Sequence, residues 1–515
     1  MVLISLLLDS FLSLVILLIS KLLWNYLRSP LKSYPGPFLA NFTDLWRALD
    51  VHRGRSHITQ NDLHRRHGPA VRLGPNMLSL SDPSLISKVL TTRNPLKKTA
   101  MVTVSDAVVD GQRVPNLFST TDEDWHGAKT KPIKPLFSMT KVQDFEPNVN
   151  SALNIFIDKI EERFVAPAKS CDIADYLLYF AWDAMSWVTF GKSFGLLEAG
   201  NDDRKIIQTA EKGLDYFAPV SQVPELDRFM DKNPIHRIGP PAFAWALRFS
   251  VDAYAERLEQ KKSRDAPENY LDRFIEAKAK NPEVIDDNVV LTYLLNNVLA
   301  GSDTTAITMI AAVYYVLKHP KVHGQLCEEL EKAKPSLPVS WKVCNSLPYL
   351  DAVMQETTRI HGAIGMMLER HVPQDGLVLP DDRIVPANAC VGLNPWVINR
   401  NVEVFGPDTD KFKPERWLQQ HGEIEENFQA RRNKMKGTLL SFGAGHRMCM
   451  GKYLSQLESY KTIATLFAKY DIALAHPDQE WKVTNHWFVR TKDVPILLKR
   501  KAGWETELSS QSNSE

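Results

Sequence analysis

Five cysteines, at positions 171, 327, 344, 390 and 449, are spread through a chain of 515 residues. An odd number at such spacing argues against a disulfide framework and for a reducing compartment. One of the five stands where chemistry is expected. Phe442-Gly443-Ala444-Gly445-His446-Arg447-Met448-Cys449-Met450-Gly451 is a glycine-rich loop, and Tyr453, Leu457, Tyr460, Ala464 and Phe467 then recur at helical spacing. Cys449 therefore lies just ahead of a helix N-terminus, where unpaired backbone N–H groups stabilise an anion. The predicted species is a shielded, hydrogen-bonded thiolate. Gly445 and Gly451 are expected to permit a tight turn and a close approach to a flat ligand. Phe442 is expected to cover the sulfur, and Arg447 to meet an anionic group. Cys171, Cys327, Cys344 and Cys390 are isolated and read as packing residues.

A second constellation lies in the apolar stretch 288–317, whose only charged residue is Asp303. Length alone would let it cross a membrane. Asn296, Asn297, Gly301, Ser302, Asp303, Thr304 and Thr305 make its middle too polar for lipid but suited to holding a ligand inside a protein. An acid followed by an alcohol, Asp303-Thr304, can bend a helix, admit water and relay protons. The bland alternative is back-bonding of the threonines to the preceding turn. In the helical stretch 349–359, Glu356 and Arg359 share a face and can pair. Phe412-Lys413-Pro414-Glu415-Arg416-Trp417 precedes the cysteine loop by about 30 residues, and Trp125 and Lys129 lie four apart in an early helical segment.

The pattern Phe442-x-x-Gly445-x-Arg447-x-Cys449-x-Gly451 fixes five positions, which chance supplies in a chain this long on the order of 10⁻⁴ times. It resembles the signature of the cytochrome P-450 superfamily of haem-thiolate monooxygenases. Ala300-Gly301-Ser302-Asp303-Thr304-Thr305 matches that family's oxygen-activation motif, and 412–417 is similar to its PERF-type segment. Glu369-Arg370, 391–397 and 400–417 most resemble E-class, filamentous-fungal members of the pisatin-demethylase type. The resemblance implies haem b, with Cys449 as the axial ligand of its iron and the thiolate favouring O–O cleavage. It implies Asp303 and Thr304 as the proton relay, and Glu356, Arg359 and Arg416 as a buried structural network. Trp125, Lys129, Arg370 and Arg447 would hold the propionates, Lys129 standing where arginine is usual and replacing a bidentate fork with a point charge.

The activity so implied is reductive activation of dioxygen to hydroxylate, epoxidise or demethylate a lipophilic small molecule, in fungal secondary metabolism or detoxification. No nicotinamide or flavin fingerprint is visible, so NADPH is expected to act only through a separate membrane-bound reductase. That partner would dock on the thiolate side, with Lys129, Lys131, Lys134, Arg431, Arg432, Lys434 and Lys436 as its candidate basic face. By family analogy, substrate contacts come from 104–118, 216–243, 299–304, 364–368 and 486–488, where Ile364, Met366, Met367, Trp487 and Phe488 offer an apolar wall. An isomerase or dehydratase needing no external electrons, or a non-catalytic haem sensor, would have no use for the Asp303-Thr304 pair.

These residues need elements to position them. With 44% hydrophobic and 24% charged residues the chain is neither disordered, collagenous nor multi-spanning. A formal charge of +1 gives no case for nucleic acid. Residues 1–27 read as one membrane crossing, followed by Lys21, Arg28 and Lys32, which leaves the remaining chain on the cytoplasmic side of the endoplasmic reticulum membrane. Asp9 is costly inside a span, by about 2.5–3.5 kcal/mol, which moves the expected start to Ser10. The expected partition is an anchor and hinge at 1–30, a catalytic domain at 31–502 and a disordered tail at 503–515. Helices are predicted at 149–162, 288–317, 349–359 and 450–470, and strands at 70–72, 77–80, 377–379 and 384–386. The fold class is mostly α with minor β, a P-450 (α+β) fold preceded by one transmembrane helix.

Overall fold

Apolar residues that recur every three to four positions form helices around one central element. A computed structural model describes residues 2–109, 112–233, 235–240, 244–259 and 267–502, so the tail expected at 503–515 lies outside the described residues. The central helix, Asp287–Lys318, starts where the Asp286 side chain caps Val289 N–H at 2.8 Å, and it ends just before Pro320. Its second half is enclosed almost all round, from Ser302 to Val316. Helix Ile173–Phe190, capped by Asp172 and stopped by Gly191 at φ 73°, packs along it. With Glu146–Ile160 and Lys452–Lys469 these helices form the main apolar core, which includes Phe156, Phe180, Trp182, Leu457 and Phe467.

The predicted helices and strands are present, with ends shifted by up to three residues. The main sheet has the order Ala70–Gly74, Met77–Leu80, Cys390–Leu393, Leu368–His371, parallel at its centre and antiparallel on both sides. Its last two strands escaped prediction: each is four residues long, and neither shows the polar alternation that marks a half-exposed strand. A hairpin, Lys482–His486 with Phe488–Lys492, turns at Trp487, a residue held at φ 75°.

Helix Val2–Arg28 carries the apolar stretch Ile4–Arg28, with mean hydropathy 2.2 and none of it buried in the protein. It fits a single membrane anchor, and Asp9 lies within it. At its end, Asn25 Nδ2 donates to Phe42 O (2.9 Å) and Ser29 Oγ to Pro75 O (2.6 Å). The Pro35-Gly36-Pro37 hinge runs against the first strand. Arg72 N–H donates to Pro35 O at 2.8 Å, and a Cβ on Gly36 would lie 2.1 Å from Arg72 O. The hinge thus fastens the anchor to the sheet.

Glu356 gathers a buried polar knot. Arg359 donates to both its oxygens (2.7 and 2.8 Å), while Arg416 Nε, Trp417 Nε1 and Lys413 N–H each donate at 2.9 Å. The arginines spend their remaining donors on the carbonyls of Asn399, Thr409, Lys411, Phe405 and Asp408. Burial pushes the Glu356 carboxyl up, but Arg359 and Arg416 outweigh it and hold it below its ordinary value. Stability from this group is therefore complete above an unfolded-state value of 4.5 and is lost as pH falls through the lower folded one. Glu356→Gln leaves two guanidinium groups without their anion and is expected to cost about 3–5 kcal/mol. Denaturant unfolding at pH 7 checks this, and the deficit should shrink as both proteins are titrated below pH 4.5.

Candidate active site

The cysteine loop is set by backbone hydrogen bonds. Gly443 N–H donates to Leu440 O (2.8 Å), Met448 N–H to Gly445 O (3.2 Å) and Cys449 N–H to Phe442 O (2.9 Å). Gly445 has φ +68°, and a Cβ there would lie 2.0 Å from Leu90 O, so no other residue fits. His446 N–H, donating to Thr91 O at 2.9 Å, fastens the loop to that same backbone. The chain turns at Met450 and Gly451, but the Gly451 φ of −74° is open to any residue. Its N–H, with that of Lys452, pulls the Cys449 thiol pKa down, but burial outweighs both and the net shift in the protein alone is upward. Cys449 faces a cavity of 1320 Å³ and counts as exposed on that side, although protein crowds it on the others.

Ala300, Gly301, Asp303, Thr304, Thr305 and Thr308 of the central helix line the same cavity. Thr304 Oγ1 donates to Ala300 O at 2.7 Å. This is the back-bond of a mid-helix threonine, and the helix stays α-helical through the pair instead of breaking there. The Asp303 carboxylate turns towards the neighbouring helix, where Oδ1 accepts from Trp182 Nε1 at 2.8 Å. Burial raises its pKa to about 6, and the Trp182 hydrogen bond opposes the shift.

At one edge of the cavity cations outnumber anions. Lys98 and Arg370 are buried and bridge backbone to backbone, and Arg447 lies beside them. The one carboxylate among them, Glu123, is paired with Arg447 at 2.8 Å. Glu369, next to Arg370 on its strand, pairs instead with Arg47 at 2.6 Å. Among the described residues no carboxylate lies within ion-pair distance of Lys98 or Arg370. Burial, with Arg447 and Arg370 nearby, drives the Lys98 ammonium well below its ordinary pKa, and burial takes Arg370 to about 10. His126 completes the edge, its Nδ1 3.3 Å from His446 Nε2.

The cytochrome P-450 profile matches residues 34–500. The chain belongs to the cytochrome P-450 family. It is 38% identical over 496 residues to the cytochrome P-450 monooxygenase cfoH of Aspergillus candidus, covering 95% of this chain and 92% of that one. Identity to the monooxygenase cicH of Emericella nidulans is 37% over 483 residues (92% and 95%), and to vrtE of Penicillium aethiopicum 32% over 500 residues (95% and 93%). As a P-450 monooxygenase the chain uses haem b, dioxygen, a substrate and electrons from a reductase.

The residues present fit that cofactor. Three cations against one carboxylate leave two positive charges unbalanced at one cavity edge, which is what the two propionates of a haem would neutralise. The residues that form this edge differ from those expected. Lys129 donates to Val284 O, and Trp125 packs on the helical core, so neither lines the cavity. Helix Glu123–Thr130 turns His126, Gly127 and Thr130 inward instead, one residue out of phase with the motif-based choice. Arg447 lines the cavity, but its donors go to Glu123, Leu117 O and Thr120 O. Arg370 lines the cavity, together with Lys98 and His126, which no sequence motif singles out. Lys98 stands alone in an irregular segment and gains its meaning only from the strand it bridges.

All five expected substrate segments contribute to the cavity wall, including Val104, Phe118, Phe217, Ile364, Trp487 and Phe488. Met366 is packed behind it in the core. On the outer surface the expected basic face is reduced, since Arg431 pairs with Glu423 and Arg432 with Asp351. Lys131, Lys134, Lys434 and Lys436 remain exposed. Removing a cation or a hydrogen-bond donor from this edge should loosen an anionic cofactor; burial and the neighbouring cations hold the His126 imidazole pKa at about 3, so it serves as a neutral donor. Arg370→Ala and His126→Ala are expected to speed haem transfer to a scavenger protein by about tenfold or more, on the scale of one lost charge-assisted hydrogen bond, whereas Lys129→Ala should leave the rate near that of the parent.

Proposed function

We propose that Cys449 is the axial ligand of the haem iron and that Asp303 and Thr304 form the proton relay of an oxygen-inserting enzyme acting on a lipophilic small molecule. Bound haem supplies the reductive activation of dioxygen and its insertion into substrate, with the second oxygen leaving as water. The observation that carries the reading is the placement of Cys449 and the 300–305 turn on one cavity. The Gly451 and Lys452 N–H groups favour the anionic sulfur, as a thiolate ligand requires. Thr304 presents a hydroxyl to the cavity, and letting go of Ala300 O frees it to pass a proton onward. Asp303, with a pKa of about 6, can both hold and release a proton near neutrality. Lys98, Arg370 and His126 hold the propionate edge, with Arg447 and Glu123 bracing it, and the apolar wall excludes water from the reacting substrate.

The same reading places the enzyme in fungal secondary metabolism, in line with monooxygenases such as cfoH and cicH, and near the E-class, pisatin-demethylase-type members. It partitions the chain into an anchor and hinge at 1–30, a catalytic domain at 31–502 and a tail at 503–515. It sets the domain on the cytoplasmic face of the endoplasmic reticulum membrane, served by a membrane-bound NADPH reductase docking near Lys131, Lys134, Lys434 and Lys436. The apolar Ile4–Arg28 helix and the Lys21, Arg28 and Lys32 charges after its start support that orientation.

Two substitutions test the site. Cys449→Ala should abolish the far-red Soret band of the reduced carbon-monoxide complex, and persistence of that band would exclude Cys449 as ligand. Thr304→Ala should keep consuming NADPH and oxygen while product-forming flux falls by about 10²-fold and peroxide accumulates. Coupling equal to that of the parent enzyme would remove the relay.

A further inference from the structure

Behind the central helix, on the side away from Cys449, lies a second cavity of 170 Å³. Its walls come from helix Ile173–Phe190 (Asp175), helix Ile206–Val220 (Glu211), the central helix (Asp303) and the hairpin strand Phe488–Lys492 (Arg490, Thr491 and Lys492). Among the described residues Asp303 alone lines both this chamber and the large cavity. We propose that the chamber is a water-filled proton inlet to Asp303, with Glu211 as its outer proton-exchanging group. The proposal rests on the reading of Asp303 as part of the relay.

Three observations carry it. The chamber has room for about five waters at roughly 30 Å³ each, and polar groups rim it. Two of its lining residues have buried polar atoms with no protein partner, Thr491 Oγ1 and Arg490 Nε. Buried donors and hydroxyls are almost always hydrogen-bonded, so these two call for solvent inside the chamber. Glu211 links the inside to the outside. Its side chain is 20% exposed and is held between Lys492 Nζ, at 2.8 and 3.0 Å from its two oxygens, and Arg490 Nη1 at 3.8 Å. Lys492 is exposed on the outer surface, while Arg490 is fixed from behind by Asp215 and by His486 Nδ1 at 3.1 Å.

Such an inlet answers a difficulty set by the main cavity. Its wall is largely apolar, and a bound substrate would exclude the water that could otherwise bring protons to Thr304. Protons consumed in forming water must then arrive from the other side of the helix. One proton enters from bulk water at Glu211, passes along the chamber waters and reaches the Asp303 carboxylate. Asp303 then gives one proton into the catalytic cavity and is recharged from behind. The chamber moves no electrons, and its net change per cycle is nil. Glu211 and Thr491 act through Asp303 and are positioning residues.

The test uses the intact holoenzyme and infrared difference spectroscopy, with Asp303→Asn identifying the carboxyl band of Asp303. After a jump into D2O the parent band should shift quickly. In Thr491→Val and Glu211→Gln the exchange should slow by about tenfold or more, and Glu211→Asp should restore it. With NADPH, reductase and oxygen supplied, the same two variants should show a larger solvent isotope effect and a several-fold higher fraction of oxygen released as peroxide. Both substitutions are near-isosteric, and an unchanged unfolding midpoint and Soret band confirm that the fold is retained. Parent-like exchange in both folded variants would overturn the inlet while leaving the relay standing. A parent-like peroxide fraction in Asp303→Asn would instead overturn the relay and, with it, the function given to the chamber.

Discussion

The setting of the Cys449 sulfur at a largely apolar cavity, where the proposed ligand must be an anion, is the constraint on which the rest of this structure depends. Burial favours the neutral thiol and keeps its pKa raised, while fixed dipoles and a cation offset only part of that cost. Here they are the N–H groups of Gly451 and Lys452 and the Lys452 ammonium. For those groups to point at Sγ, the loop must enter the helix at one angle. That angle is fixed by Gly445, which lies so close to the Leu90 and Thr91 backbone that a Cβ has no place. The position of the sulfur is thus tied to a segment more than 350 residues earlier in the chain.

Two buried clusters of charge share this scaffold and solve opposite problems. Around Glu356 every charged group finds its partner inside the protein, so the knot is self-sufficient and serves to lock the 412–417 segment to its helix. Around Lys98 and Arg370 the protein leaves positive charge unmatched. A ligand that brings two carboxylates removes that penalty on arrival, and by linkage the holoprotein gains stability that the polypeptide alone lacks.

The sequence made the catalytic loop legible because its residues are adjacent, so spacing and chemistry could be read together. It made the central helix legible because a long apolar run with one acid and a cluster of small and hydroxylated residues cannot be lipid-facing. The propionate edge was less legible, for two physical reasons. Choosing between Trp125 with Lys129 and His126 with Thr130 depends on helix phase, which an eight-residue element with a weak apolar stripe does not reveal. Lys98 has no local signature at all, because its environment is made by an antiparallel bridge to Arg370, 272 positions away. Short strands such as Cys390–Leu393 failed for a related reason, since burial on both faces erases the period of two. At Gly451 the chain turns as expected, yet the geometry places an N–H near sulfur and makes no demand for glycine's freedom of φ.

Asp303 shows why such a site is not optimised for stability. Burial lifts its carboxyl from 3.8 to about 6, so at neutral pH the folded state carries an ionised group it disfavours, at about 1.4 kcal/mol per pKa unit. The sign follows from the raised value: the group weakens the fold above pH 6 and ceases to do so as pH falls towards 4. A structural acid in this position would be expected to find a cation, as Glu356 does. Instead Asp303 is given an indole N–H, which orients one oxygen without fixing its charge. A pKa left near neutrality with a single neutral hydrogen bond is costly for folding but suited to a group that must both take and give a proton. The cost can be borne because the central helix is braced almost all round by apolar packing from Ser302 to Val316. The stability of that helix and the unfavourable acid set into it belong to one arrangement, in which packing supplies what the proposed relay would consume.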